Sequence, residues 1–159
     1  MASQQQQQPA EQLPVTLQQL NLVHAKVLEA NPVYTFLLSD LTLTSVAPGV
    51  VTAELPVTRN LMNSHNILHG CTSATIIDWI GGIVIASTSP DRFQKRGVSV
   101  DIHVTYVGAA KEGETLLIKG TAQKVGSRLA FINVEVKARK PGSTDERVVV
   151  TGSHTKFVG

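Results

Sequence analysis

The chain has 159 residues, is 42% hydrophobic and 16% charged, and carries a formal net charge of +2. That balance suits one buried core and excludes a disordered polyelectrolyte. No Lys/Arg run or basic-aromatic pattern marks a nucleic-acid surface, and no apolar run is long enough to span a membrane. The single cysteine, Cys71, excludes an internal disulfide and fits a reducing compartment.

Residues 1–14 include an unbroken Gln run from Gln4 to Gln8, with Pro9 and Pro14 after it. This low-complexity polar tail cannot bury a core and is expected to be disordered. It lacks an apolar signal core and any Arg, and it carries Glu11. A cytoplasmic location is therefore the expectation, with mitochondrial association left open. Residues 15–159 read as one domain. Thr16-Leu-Gln-Gln19 is a capping box opening an amphipathic helix through about Ala30, with Leu20, Val23, Val27 and Leu28 near one face. Asn31-Pro32 stops it. Two strands flank a turn at Pro48-Gly49, and a polar loop from about Asn60 leads into a second helix over roughly 71–86. Beyond it, Val98, Val100, Ile102, Val104 and Tyr106 alternate with Ser99, Asp101, His103 and Thr105, which predicts a strand with one dry and one polar face. Strands near 114–125, 129–139 and 147–157 are separated by Gly126-Ser127 and Pro141-Gly142. The pattern predicts an α+β unit in which an antiparallel meander wraps a buried helix.

The second helix has no charged stripe, so it should be buried on nearly all sides; Asp78 is its only ionisable residue. A carboxylate survives there with partners, at a wet cavity, or for chemistry. The alternative is an Asp at a polar subunit interface, hydrogen-bonded to a Ser or Thr. Gly81 and Gly82 each weaken the helix by about 1 kcal/mol relative to Ala, so close approach of sheet or partner backbone should compensate. At the helix start, Gly70 offers an N–H without an intrahelical partner at the positive end of the macrodipole, and it has no Cβ to keep a carbonyl away. This is what an oxyanion hole requires, although a Gly at a loop-to-helix junction also serves backbone shape. Gly70 and Asp78 lie roughly 12 Å apart along one helix. One carbonyl cannot touch both, so joint action requires a second copy of the chain and a two-fold interface.

Asn63, His69-Gly70 and Asp78, followed by Gly97-Val-Ser99-Val-Asp101 and Thr105-Tyr106, resemble the hotdog-fold acyl-CoA thioesterases of the acyl-coenzyme A thioesterase 13 type, which are related to bacterial phenylacetate-pathway thioesterases. The resemblance runs through Leu129-Ala130-Phe131 to Gly152-Ser-His154-Thr155-Lys156, covering most of the chain after about Thr42. The usual His-Gly-Gly reads His69-Gly70-Cys71 here, a change expected to affect packing more than chemistry. The resemblance implies a hotdog fold and hydrolysis of acyl-CoA to free acid and CoA. Asp78 would be general base or nucleophile, Gly70 the oxyanion donor, and Asn63 a side-chain donor or a guide for the attacking group. Ser99 would orient water or bond Asp78, and His69 would brace the loop or touch the thioester.

The resemblance also implies CoA contacts from two segments. The first is Tyr106, Val107, Gly108, Ala109, Ala110 and Lys111; the second is Lys124, Val125, Gly126, Ser127, Arg128 and Leu129. Cationic groups and turn amides there would meet the phosphates. No metal or redox cofactor is expected, CoA being part of the substrate. A homodimer, plausible also as a dimer of dimers, is the expected assembly. Trp79 reads as core or interface, and a Cys71 nucleophile would need His69 as its base. A hotdog hydratase or dehydratase and a non-catalytic acyl-CoA-binding module are the competing readings.

Overall fold

The computed structural model describes residues 13–159. Most of the Gln-rich tail expected at 1–14 therefore lies outside the described residues. Helix α1 (Leu17–Glu29) starts with the expected capping box: Thr16 Oγ1 accepts from Gln19 N–H, and the Gln19 side chain accepts from Thr16 N–H. Its buried face carries Leu20, Val23, His24 and Val27. Asn31-Pro32 ends α1 as expected but also opens a short second helix, α2 (Pro32–Leu38). Proline at the first helical position has the φ that the helix needs and lacks only an N–H that would be unpaired there.

Strands β1 (Thr42–Ala47) and β2 (Val50–Pro56) flank the Pro48-Gly49 turn. Helix α3 (Gly70–Ala86) follows the polar loop; then come β3 (Val98–Tyr106), β4 (Thr115–Val125), β5 (Leu129–Arg139) and β6 (Glu146–Phe157). The six strands form one antiparallel sheet in the order β1-β2-β4-β5-β6-β3. Only β4-β5-β6 is the expected meander, because α3 carries the chain from β2 across the sheet to its far edge beside β6. The crossing buries Ile76, Ile77, Trp79, Ile80, Ile83, Val84, Ile85 and Ala86 against the sheet and α1, as a helix without a charged stripe requires. Among the described residues, no helix is long and apolar enough to cross a membrane.

Strand β3 departs from the two-faced expectation. It is an edge strand, and Val98, Val100 and Tyr106 are 68%, 60% and 60% exposed. The register slips between Ser99, opposite Lys156, and Asp101, opposite Thr155. This bulge reverses the side-chain parity. Ser99 now shares the helix-facing side with Ile102 and Val104, whereas uninterrupted alternation would have turned it outward with Asp101.

Candidate active site

The bulge is what brings Ser99 to Asp78: Ser99 Oγ donates to Asp78 Oδ1 at 2.8 Å. From the opposite side the Tyr34 phenol, on α2, donates to Asp78 Oδ2 at 2.6 Å. Asp78 is therefore less enclosed than its apolar helix suggested. Its side chain is 32% exposed, facing a 260 Å³ pocket bordered by Asn31, Val33, Tyr34 and Thr75.

Two residues of β6 complete the cluster. His154 is fully buried, and burial, with Lys156 adding to it, pulls its imidazole down to about 4 against the opposing pull of Asp78. It is neutral near pH 7, so its 3.7 Å approach to Asp78 Oδ1 is not an ion pair there. His154 Nδ1 lies 3.2 Å from Ile77 O, which can only accept, so the ring proton sits on Nδ1. Nε2 then carries a lone pair 3.0 Å from Ser99 Oγ, whose one proton is given to Asp78 Oδ1. Lys156 Nζ donates to Ser99 Oγ at 3.4 Å; it is 6% exposed, and burial lowers its pKa while Asp78 opposes that shift. The imidazole fits against α3 only because residue 81 is Gly: a Cβ there would collide with His154 Nδ1. The Gly pair predicted close approach of backbone; at Gly81 the neighbour is instead a side chain of the sheet. At Gly82 the nearest neighbour is Arg96 at an ordinary 3.5 Å.

The other candidate residues gather at the start of α3. His69 is the N-cap, and its Nδ1 accepts from Cys71 N–H at 3.0 Å, so it braces the loop as one of its two expected roles. Cys71 is exposed and tied to His69 through its backbone N–H, not its thiol. Asn63 Oδ1 accepts from His65 N–H and Ile67 N–H at 2.9 and 3.3 Å, which fixes the carboxamide. Tyr106 covers Gly70: its hydroxyl donates to Gly70 O at 3.3 Å, and a Cβ on Gly70 would lie 3.1 Å from that oxygen. Gly70 at one end of α3 thus meets the Tyr106 end of β3, while Asp78 meets the Ser99 end. One chain keeps the two halves apart, as the helix rise required.

The two segments expected to meet CoA are also separated. Leu129 and Val98 both register with Phe157, at one end of the sheet, whereas Tyr106 registers with Val150, itself opposite Val136, towards the other. Several expected phosphate donors are engaged internally. Val107 N–H and Gly108 N–H both donate to Val149 O, Lys111 N–H donates to Glu114, and Gly126 N–H donates to Leu129 O. Ala109 O accepts from Arg147; Ala110 is buried, with its carbonyl held by Leu68 N–H. Exposed Lys124, by contrast, lines a 1210 Å³ cleft with Val125, Arg92, Lys95 and Val98. Ser127 and Arg128 are exposed in the turn before half-exposed Leu129. Trp79 is core: its indole N–H donates to buried His24 at 3.2 Å. Among the described residues, no group of three or more His, Cys, Asp or Glu side chains could hold a metal ion.

Sequence reasoning missed Tyr34, because Pro32 marked an end rather than a beginning. His154 and Lys156 entered only as part of a resembling C-terminal segment, although a buried histidine facing a helical Gly is a signal once the strand is paired.

A helix wrapped by a six-stranded antiparallel sheet is the hotdog fold, and comparison with known proteins agrees. Residues 65–144 match the Thioesterase superfamily. Human acyl-coenzyme A thioesterase 13 is 35% identical over 122 residues, covering 77% of this chain and 82% of its own length. The crystal structure of zebrafish thioesterase superfamily member 2 superposes with a TM-score of 0.79 at 33% identity, over 91% of this chain and 99% of that one. A Streptococcus mutans protein bound to acetyl CoA superposes at 0.66 with 25% identity, over 75% and 88% of the two chains. The chain belongs to the Thioesterase superfamily.

Proposed function

We propose that this protein hydrolyses acyl-CoA thioesters in a site completed by a second copy of itself. The observation that carries this reading is one shared displacement. Gly70 and Asp78 lie against opposite ends of β3, and the 106–111 and 124–129 segments lie at the same two opposite ends. A two-fold axis through the middle of β3, pairing its exposed edge antiparallel with the same edge of a partner, reunites both pairs at once. The names of the relatives supply the substrate class: human acyl-coenzyme A thioesterase 13 and a neighbour bound to acetyl CoA.

In this arrangement the thioester oxygen accepts from Gly70 N–H and from the Asn63 carboxamide of one subunit, where the start of α3 favours developing negative charge. Asp78 of the partner subunit takes a proton from water as that water attacks the carbonyl carbon. Ser99 gives its hydroxyl proton to the carboxylate, and neutral His154 packs 3.0 Å from the same oxygen. Collapse of the tetrahedral intermediate expels the CoA thiolate. The cleft bearing Arg92, Lys95 and Lys124 suits its phosphates, and the 106–111 turn of the partner would close over the same end.

Free-thiol release from acyl-CoAs of several chain lengths tests the reading. Wild type should release thiol, and Asp78→Asn should do so at least roughly a hundredfold more slowly. CoA binding without thiol release would instead make the protein a binding module, and consumption of an enoyl thioester without thiol release would make it a hydratase.

A further inference from the structure

We infer that Tyr34 is a positioning residue for Asp78, holding the carboxylate by Oδ2 so that it stays aimed into the pocket at α2. The inference rests on the reading of Asp78 as the base. The carboxylate is gripped by two hydroxyls from different elements, the Tyr34 phenol on Oδ2 at 2.6 Å and Ser99 on Oδ1 at 2.8 Å. Its exposed part faces the 260 Å³ pocket of which the Tyr34 ring is a wall, so the phenol borders the path to the base.

The corner that presents Tyr34 is firmly built. Asn31 Nδ2 donates to Val27 O at 2.7 Å, Thr35 Oγ1 donates to Leu28 O at 2.6 Å, and Thr35 N–H donates to Asn31 O at 2.9 Å. These bonds tie α2 back to the end of α1 and fix where the phenol points. The phenol acts as donor only: burial first, then the hydrogen bond to Asp78 and its negative charge, push its ionisation far above the ordinary tyrosine range.

Other groups also face this cluster: His154 and Lys156 from β6, Asp101 from β3, and Arg96 from the segment before β3. All of them remain in Tyr34→Phe, which keeps the ring and removes one donor. In that variant kcat should fall about tenfold through loss of orientation, with KM changing less than about twofold.

Steady-state thiol release by Tyr34→Phe, alone and in the Asp78→Asn background, reads this split. A fall in kcat of about tenfold that disappears once Asp78 is replaced supports the inference. Unchanged kcat in Tyr34→Phe, or the same fall in the Asp78→Asn background, overturns it, even if Asp78→Asn alone is nearly inactive. Full activity of Asp78→Asn would mean that the reading of Asp78 as base fails, and a role for Tyr34 in catalysis fails with it.

Discussion

At its N-terminal end α3 offers backbone N–H groups from a polar loop, whereas around Asp78 it offers one carboxylate held by hydroxyls from α2 and β3, with β6 side chains packed against the second. The first region needs only a helix start, a glycine and a braced asparagine. The second needs three elements, distant in the chain, to converge on one carboxyl group. The first should therefore be sensitive to the shape of a few residues, and the second to any change that shifts the sheet against the helix.

The largest effect at the helix start should come from Asn63→Ala. Its carboxamide oxygen is fixed by two backbone amides, and removing the side chain deletes the donor proposed to act with Gly70 N–H. A fall in kcat of about a hundredfold is expected from steady-state thiol release, together with a loss of about 1–2 kcal/mol in unfolding free energy from the two amides left without a partner. Unaltered kcat would confine the oxyanion role to Gly70. Gly81→Ala probes the second region without touching a reacting group. Its Cβ would collide with His154, so the imidazole or the helix must move. A cost of about 1–3 kcal/mol in thermal or denaturant unfolding is expected, together with reduced turnover. A variant of full stability and activity would mean that His154 adapts freely.

The same buried imidazole sets a pH dependence. His154 is held to about 4 when folded, chiefly by burial, and returns to about 6.5 in the unfolded chain. Between those values the unfolded state binds more protons, so stability is lost as pH falls from about 6.5 towards 4. Buried His24 is shifted in the same direction. Melting temperature should therefore decline between pH 7 and 5, before ordinary carboxylates titrate, and more gently in His154→Gln. Equal slopes would remove His154 from the account. The smallest effect belongs to Tyr106→Phe, which loses only a 3.3 Å hydrogen bond at an exposed position. A change in unfolding free energy of at most about 0.5 kcal/mol is expected, in contrast to Gly81→Ala.

How much of this was legible in the sequence follows the same division. The absence of a charged stripe in α3 foretold its burial, and the strand limits followed from glycine and proline punctuation. Gly70, Asp78 and the distance between them were readable because one helix carries both. What was hidden depends on pairing across the chain. The β3 bulge cannot be seen in an alternating Val-Ser-Val-Asp pattern, yet it decides that Ser99 faces Asp78. The place of β3 at the far edge is a property of strand order, not of period. Tyr34 lies in a segment of β-branched and aromatic residues that becomes helical through Pro32 and its tertiary packing.

The central claim is that the two regions act on one thioester across a two-fold axis. Asp78→Ala and Asn63→Ala chains, each nearly inactive alone, should be unfolded and refolded together in equal amounts, with native mass spectrometry confirming mixed dimers. A mixed dimer holds one site with both defects and one with neither. With half of all dimers mixed, thiol release should recover to about a quarter of wild type. Mixed dimers that recover no hydrolysis would contradict the shared site.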